Sequence, residues 1–114
     1  MKNTRYWTLH LAAGLVMFFL LAIHMAIFHL DYILGYEEPL SYSSVVMRAK
    51  QFFYLVMYIL LLGAGLYHGL YGFRRIVFEL SIGRVLEKIL TVCIVAAGVV
   101  MFICGAFVVI GMFV

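Results

Sequence analysis

Three stretches of this chain, about residues 7–30, 52–73 and 89–113, contain no Asp, Glu, Lys or Arg. Each is long enough to cross a hydrocarbon core of roughly 30 Å as a helix. Composition agrees: hydrophobic residues make up 68% of the 114 and charged ones 11%, against roughly 45–50% and 25% in soluble globular domains. The expected fold is an all-α membrane protein with three transmembrane helices in a single domain over residues 1–114. The first stretch follows the basic Lys2 and Arg5, as a signal peptide would. Its apolar run is too long for one, and no small-residue cleavage site follows it.

The basic residues set an expected orientation. Lys2, Arg5, Arg74, Arg75, Arg84 and Lys88 fall at the N-terminus and second loop, and only Arg48 and Lys50 in the first. That asymmetry predicts a cytoplasmic N-terminus and an outer C-terminus. The net charge of +3 then reflects topology, and nothing suggests a nucleic-acid surface. The soluble part is too small for nucleotide binding, protease chemistry or phosphoryl transfer, and no phosphate-binding glycine loop occurs. Any function must be built within the membrane or on its face, with a cofactor or a partner.

The first loop holds the only proline, Pro39, with Gly35, an acidic cluster of Asp31, Glu37 and Glu38, and three serines. Its later part, SSVVMRAKQF, predicts a short interfacial helix with a serine cap. The second loop predicts an extension of the second span, a break near Gly83 and the start of the third. Cys93 and Cys104 are eleven residues apart, about 16 Å along a helix, too far for a disulfide. They read as small buried packing residues. Tyr6, Trp7, Tyr32, Tyr36, Tyr54, Tyr67 and Tyr71 mostly fall near span ends, as interfacial aromatics do.

All four histidines, His10, His24, His29 and His68, lie in or at the edge of a span. Ionisable residues there are costly and point to function, although a neutral imidazole can also simply bond a neighbouring helix. Depth separates them. At 1.5 Å per residue, His10 lies roughly 5 Å and His24 roughly 25 Å above Trp7, while His68 lies roughly 9 Å above Arg74. His24 is therefore near the outer surface and His68 near the inner one, roughly 15 Å apart in depth. Two axial ligands of one haem must share a depth, so these two do not share one. Either each ligates a different haem completed by a partner chain, or only one is a ligand. Gly65, Gly69 and Gly72 bare the backbone beside His68, which suits a flat ring or a tight helix crossing. His24 shares its face with Met17, Leu20, Leu21 and Phe28, which suits a porphyrin edge or ordinary packing. His10 and His29 read as interfacial polar residues. Arg74 and Arg75 suit both topology and pairing with a haem propionate. Glu79 reads as a loop residue or a proton acceptor.

The run from His68 through Gly72 and Arg74 to Glu79 fits H-x-x-x-G-x-R-x(4)-D/E. It resembles the second-helix motif of the small cytochrome b anchor subunits of succinate:quinone oxidoreductase (complex II) and fumarate reductase, and the likeness of architecture covers nearly the whole chain. The resemblance implies a membrane-anchor domain that holds haem b through His68 and, in two-haem versions, through His24. It implies a second membrane anchor subunit, an iron–sulfur subunit and a flavoprotein subunit as partners, quinone as electron acceptor or donor, and no succinate site on this chain. The expected location is the plasma (inner) membrane of a prokaryote. The departures concern quinone. His10-Leu11-Ala12-Ala13-Gly14 stands where C-type anchors carry His-Arg-x-Ser/Thr-Gly, and Leu80 where D-type anchors often carry tyrosine, so the family's quinone residues do not carry over; quinone then depends mainly on partner chains, with Glu79 as this chain's candidate. The short N-terminus and missing arginine bring the chain nearer the D-type. The alternatives are an anchor of another quinone-linked dehydrogenase and a cofactor-free structural or assembly subunit.

Overall fold

The computed structural model describes residues 2–35 and 38–114. Tyr36 and Glu37, read above as an interfacial aromatic and part of an acidic cluster, lie outside the described residues. The chain is all-helical there: α1 (Lys2–Ile33), α2 (Tyr42–Ala49), α3 (Phe52–Phe78) and α4 (Arg84–Phe113). The three long helices are each apolar and long enough to cross a membrane. They run past the uncharged stretches, because nothing in the flanks breaks them: Pro39 lies in a loop, and α3 carries Arg74 and Arg75 on its last turns. The break comes where Ser81 takes φ 53° and Gly83 φ 91°, the left-handed region that glycine enters without a Cβ penalty. Helix α4 restarts at the next residue, as the position of Gly83 predicts.

Helix α2 is the expected short helix. The Ser41 side chain caps it by accepting from the Ser44 backbone N–H at 3.3 Å. It ends before α3 begins, so it packs as a separate clamp. Its Arg48 is 7% exposed and reaches α1: the guanidinium pairs with Asp31 at 3.5 Å, lies 4.6 Å from the Phe28 ring centre, and donates to the Pro39 carbonyl. One buried cation thereby ties the first loop to the end of α1. We call this the loop end, and the end bearing Arg74, Arg75, Arg84 and Lys88 the basic end.

Helix α3 packs against both α1 and α4, and among the described residues those two do not pack against each other. Lipid tails are as apolar as leucine, so close fit between helices must supply the attraction. On the α3–α4 seam it does so by setting leucines over glycines. A methyl group at Gly98 would lie 2.9 Å from Leu70 Cδ1, and one at Gly105 2.6 Å from Leu62 Cδ2. A three-helix row leaves broad faces uncovered, and among the described residues Ala49 and Met57 are the only buried hydrophobic ones. Cys93 and Cys104 correct the expectation of buried packing residues: both are free and exposed, because α4 packs through its glycine face and they lie off it.

Two outcomes follow from this packing. Gly105→Leu is expected to lower stability by about 1–3 kcal/mol through overpacking, whereas Gly111→Leu, at a site with nothing within 4 Å, stays within about 0.5 kcal/mol; thermal denaturation in detergent compares them. Arg48→Met removes charged hydrogen bonds of about 1.5–3 kcal/mol each. Hydrogen exchange should then speed up in residues 38–49 and leave the basic end of α3 unchanged.

Candidate functional site

Along α1, His10, Gly14, Met17, Leu21, His24 and Phe28 recur at spacings of four and three, so they form one stripe of the helix. Along α3 the matching stripe is Tyr58, Gly65, His68, Gly72 and Arg75. The helices run antiparallel and set bulk against bare backbone. A methyl at Gly14 would lie 2.7 Å from Cε1 and 2.8 Å from Nδ1 of His68, and one at Gly72 3.2 Å from Cε1 of His10. A methyl at Gly65 would lie 4.0 Å from the Met17 sulfur. No side chain other than hydrogen fits at Gly14 while His68 keeps this position.

The same closeness brings His68 against α1. Its Nδ1 donates to the His10 backbone carbonyl at 3.0 Å. A carbonyl only accepts, so Nδ1 carries the proton and Nε2 of the neutral ring keeps its lone pair. The two histidine rings are stacked, with centroids 4.3 Å apart and planes 3° from parallel. Tyr71 tilts over His10 at 5.1 Å, Tyr67 stacks on Tyr71 at 5.8 Å, and the Tyr67 hydroxyl donates to the Tyr6 carbonyl at 3.0 Å. The His10–His68 contact is face to face, so the pair cannot bracket a porphyrin, whose axial imidazoles stand end-on to the metal from opposite sides. His68 also borders an open groove of about 710 Å³ walled by Leu11, Leu15, Phe18, Leu21 and Met25 of α1.

His24 lies far from this pair. Its ring packs edge-on against Phe28 at 4.6 Å and against Tyr58 at 5.7 Å. Tyr58 is ten residues from His68 on α3, about 15 Å along the axis. The depth difference expected from counting is thus present. His24 lines a second cavity, about 450 Å³, with Met25, Phe28, His29, Tyr32 and Leu40 at the loop end.

The arginines divide. Arg74 turns to α4: its Nε donates to Thr91 Oγ1 at 2.9 Å, and its guanidinium lies 4.1 Å from the Phe78 ring centre. Arg75, seven residues from His68, falls on the same face of α3 as His68 and Gly72 and is exposed. Glu79 caps α3 through its backbone N–H, which bonds the Arg75 and Ile76 carbonyls, and its side chain is exposed. His29 is exposed near the loop end.

His10, expected as an interfacial polar residue, also stacks on His68. Two signals for this were present: both histidines lie within a few residues of the basic end, and the four-and-three spacing puts His10 on the stripe of Gly14 and His24. Separating Arg74 from Arg75 likewise needed only the helix period and a hydroxyl on α4 to receive one of them.

Residues 2–110 match the family model described as the succinate dehydrogenase/fumarate reductase transmembrane subunit. Comparison with curated proteins finds no match, and comparison with solved structures finds none. The family match spans nearly the whole chain and agrees with three long apolar helices joined by short connections. The chain therefore belongs to the succinate dehydrogenase/fumarate reductase transmembrane subunit family, as a multi-pass membrane anchor subunit of that complex.

Proposed function

We propose that this subunit binds haem b at the basic end, where His68 would hold it and a partner anchor would supply the remaining ligand. The observation carrying the reading is the His68 ring: Nδ1 is engaged by the His10 carbonyl, the arrangement that fixes the tautomer of a metal-binding histidine and leaves Nε2 for the metal. The residues present fit such a group. Gly14 leaves room for the ring where a methyl would collide with it, and the groove beside His68 is apolar and open on the side free of other helices. Bound there, haem b supplies one-electron transfer between the iron–sulfur subunit and membrane quinone.

The chain's own residues hold, orient and shield. His68 donates one nitrogen and is kept from rotating by α1. Leu11, Leu15 and Phe18 keep water from the groove. Arg75, on the His68 face and unencumbered by α4, is the arginine available to a propionate; Arg74 serves to join α3 to α4. Glu79, exposed one turn beyond Arg75, offers a carboxylate for proton exchange on the quinone side, with the remaining quinone contacts coming from partner chains. His24, about 15 Å away in depth and facing its own cavity, ligates a second haem in a two-haem arrangement. The missing arginine after His10 favours the D-type position in the complex, and the basic residues favour a cytoplasmic N-terminus in a prokaryotic plasma membrane.

A reduced-minus-oxidised absorption spectrum of the purified complex tests both ligands. The wild type should show a b-type signal, lost or reduced in His68→Ala with flavin content unchanged. A full signal in that variant removes His68 as a ligand, and absence of haem from the wild-type complex would support a purely structural subunit. In a redox titration, His24→Ala should abolish one of two potentials; an unaltered titration rejects the two-haem arrangement.

A further inference from the structure

The His10 side chain does nothing in the scheme above, yet it is held in place from several sides. Its ring lies flat on His68, its Cε1 is 3.2 Å from where a methyl at Gly72 would sit, and Tyr71 covers it at a tilt of 43°. Its Nδ1 is buried with no hydrogen-bond partner, and burying an imidazole nitrogen without a partner costs free energy. The buried Nδ1 of His10 is therefore unused among the described residues, and the flat ring is the part in contact with His68. His68, by contrast, is fixed at two points of one neighbour: its edge by the His10 carbonyl and its face by the His10 ring. The carbonyl alone leaves an imidazole free to rock about the Nδ1–H···O axis. The stacked ring removes that freedom.

We infer that His10 is a positioning residue that sets the plane of the His68 imidazole, acting through ring stacking and not through its nitrogens. The inference rests on His68 being a haem ligand. The consequence is spectroscopic. In a low-spin haem with two imidazole ligands, the angle between the two ring planes governs the anisotropy of the paramagnetic signal, so loosening one ring shifts and broadens that signal. Loss of residues that orient a metal ligand typically weakens binding 10–100-fold.

The test uses the assembled complex, with His10→Ala, His10→Phe, His10→Leu and His68→Ala variants. Flavin content reports assembly. Low-spin electron paramagnetic resonance and the haem-to-flavin ratio report the site. His10→Ala and His10→Leu should shift and broaden the low-spin signal, and dilution in detergent should strip haem at about tenfold lower dilution than in the wild type. His10→Phe, which keeps a flat ring while giving up both nitrogens, the buried Nδ1 having no partner, should restore the wild-type signal. Should His10→Ala fail to assemble, the Phe and Leu variants decide, since they differ in flatness and little in bulk. A wild-type signal and haem retention in His10→Leu overturn the inference, and so does a His10→Phe complex as perturbed as the Leu one. Haem that survives His68→Ala overturns the ligand assignment beneath it; haem lost in that variant beside unperturbed His10 variants overturns the positioning role alone.

Discussion

The basic half of the molecule depends on how closely α1 approaches α3 at Gly14. With hydrogen as its side chain, Gly14 lets the His68 ring lie where its Nδ1 meets the His10 carbonyl and its face meets the His10 ring. A single methyl would stand 2.7 Å from that ring, so ring and helix could not both keep their places. The glycine opposite each histidine, Gly14 for His68 and Gly72 for His10, is thus one device used twice. It fixes the helix approach and, through it, the proton of the His68 ring on Nδ1.

The same economy of contact explains why the chain is incomplete as a single unit. Three long helices in a row, with α3 in the middle, bury Ala49 and Met57 and leave most large apolar side chains outward. Lipid covers such surfaces, but it cannot supply an axial nitrogen. His10 is stacked and cannot serve opposite His68, and His24 is at another depth. On the proposed reading, the ligand opposite His68 would come from another chain, which agrees with membership of a multi-subunit complex. At the loop end a buried cation replaces the glycines. Arg48, from an α2 that packs on α3 and α4, ties Pro39 to Asp31 and Phe28 of α1, beside the region where His24 lies.

Much of this was legible in the sequence because membrane spans obey few rules. Uninterrupted apolar runs gave three helices, Ser41 gave the cap of α2, and Gly83 gave the break before α4. The depth of His24 and His68 needed only the helical rise. What was not legible depends on which faces meet. His10 read as an interfacial residue because depth alone does not say that its stripe turns to α3. Arg74 and Arg75 read as equivalent until Thr91 on α4 claimed one. Cys93 and Cys104 read as buried because the row arrangement, in which α4 has α3 as its one long neighbour and touches the short α2 besides, is not written in any local pattern.

The central claim is that one axial ligand belongs to this chain and its counterpart to a partner. A density map of the whole complex at a resolution that separates side chains tests it most directly. The account predicts a porphyrin in the groove beside His68, Nε2 bonded to iron, Nδ1 still on the His10 carbonyl, and the opposite ligand from the neighbouring anchor. A porphyrin held by His10 instead of His68, or one with both axial ligands from this chain, would contradict it.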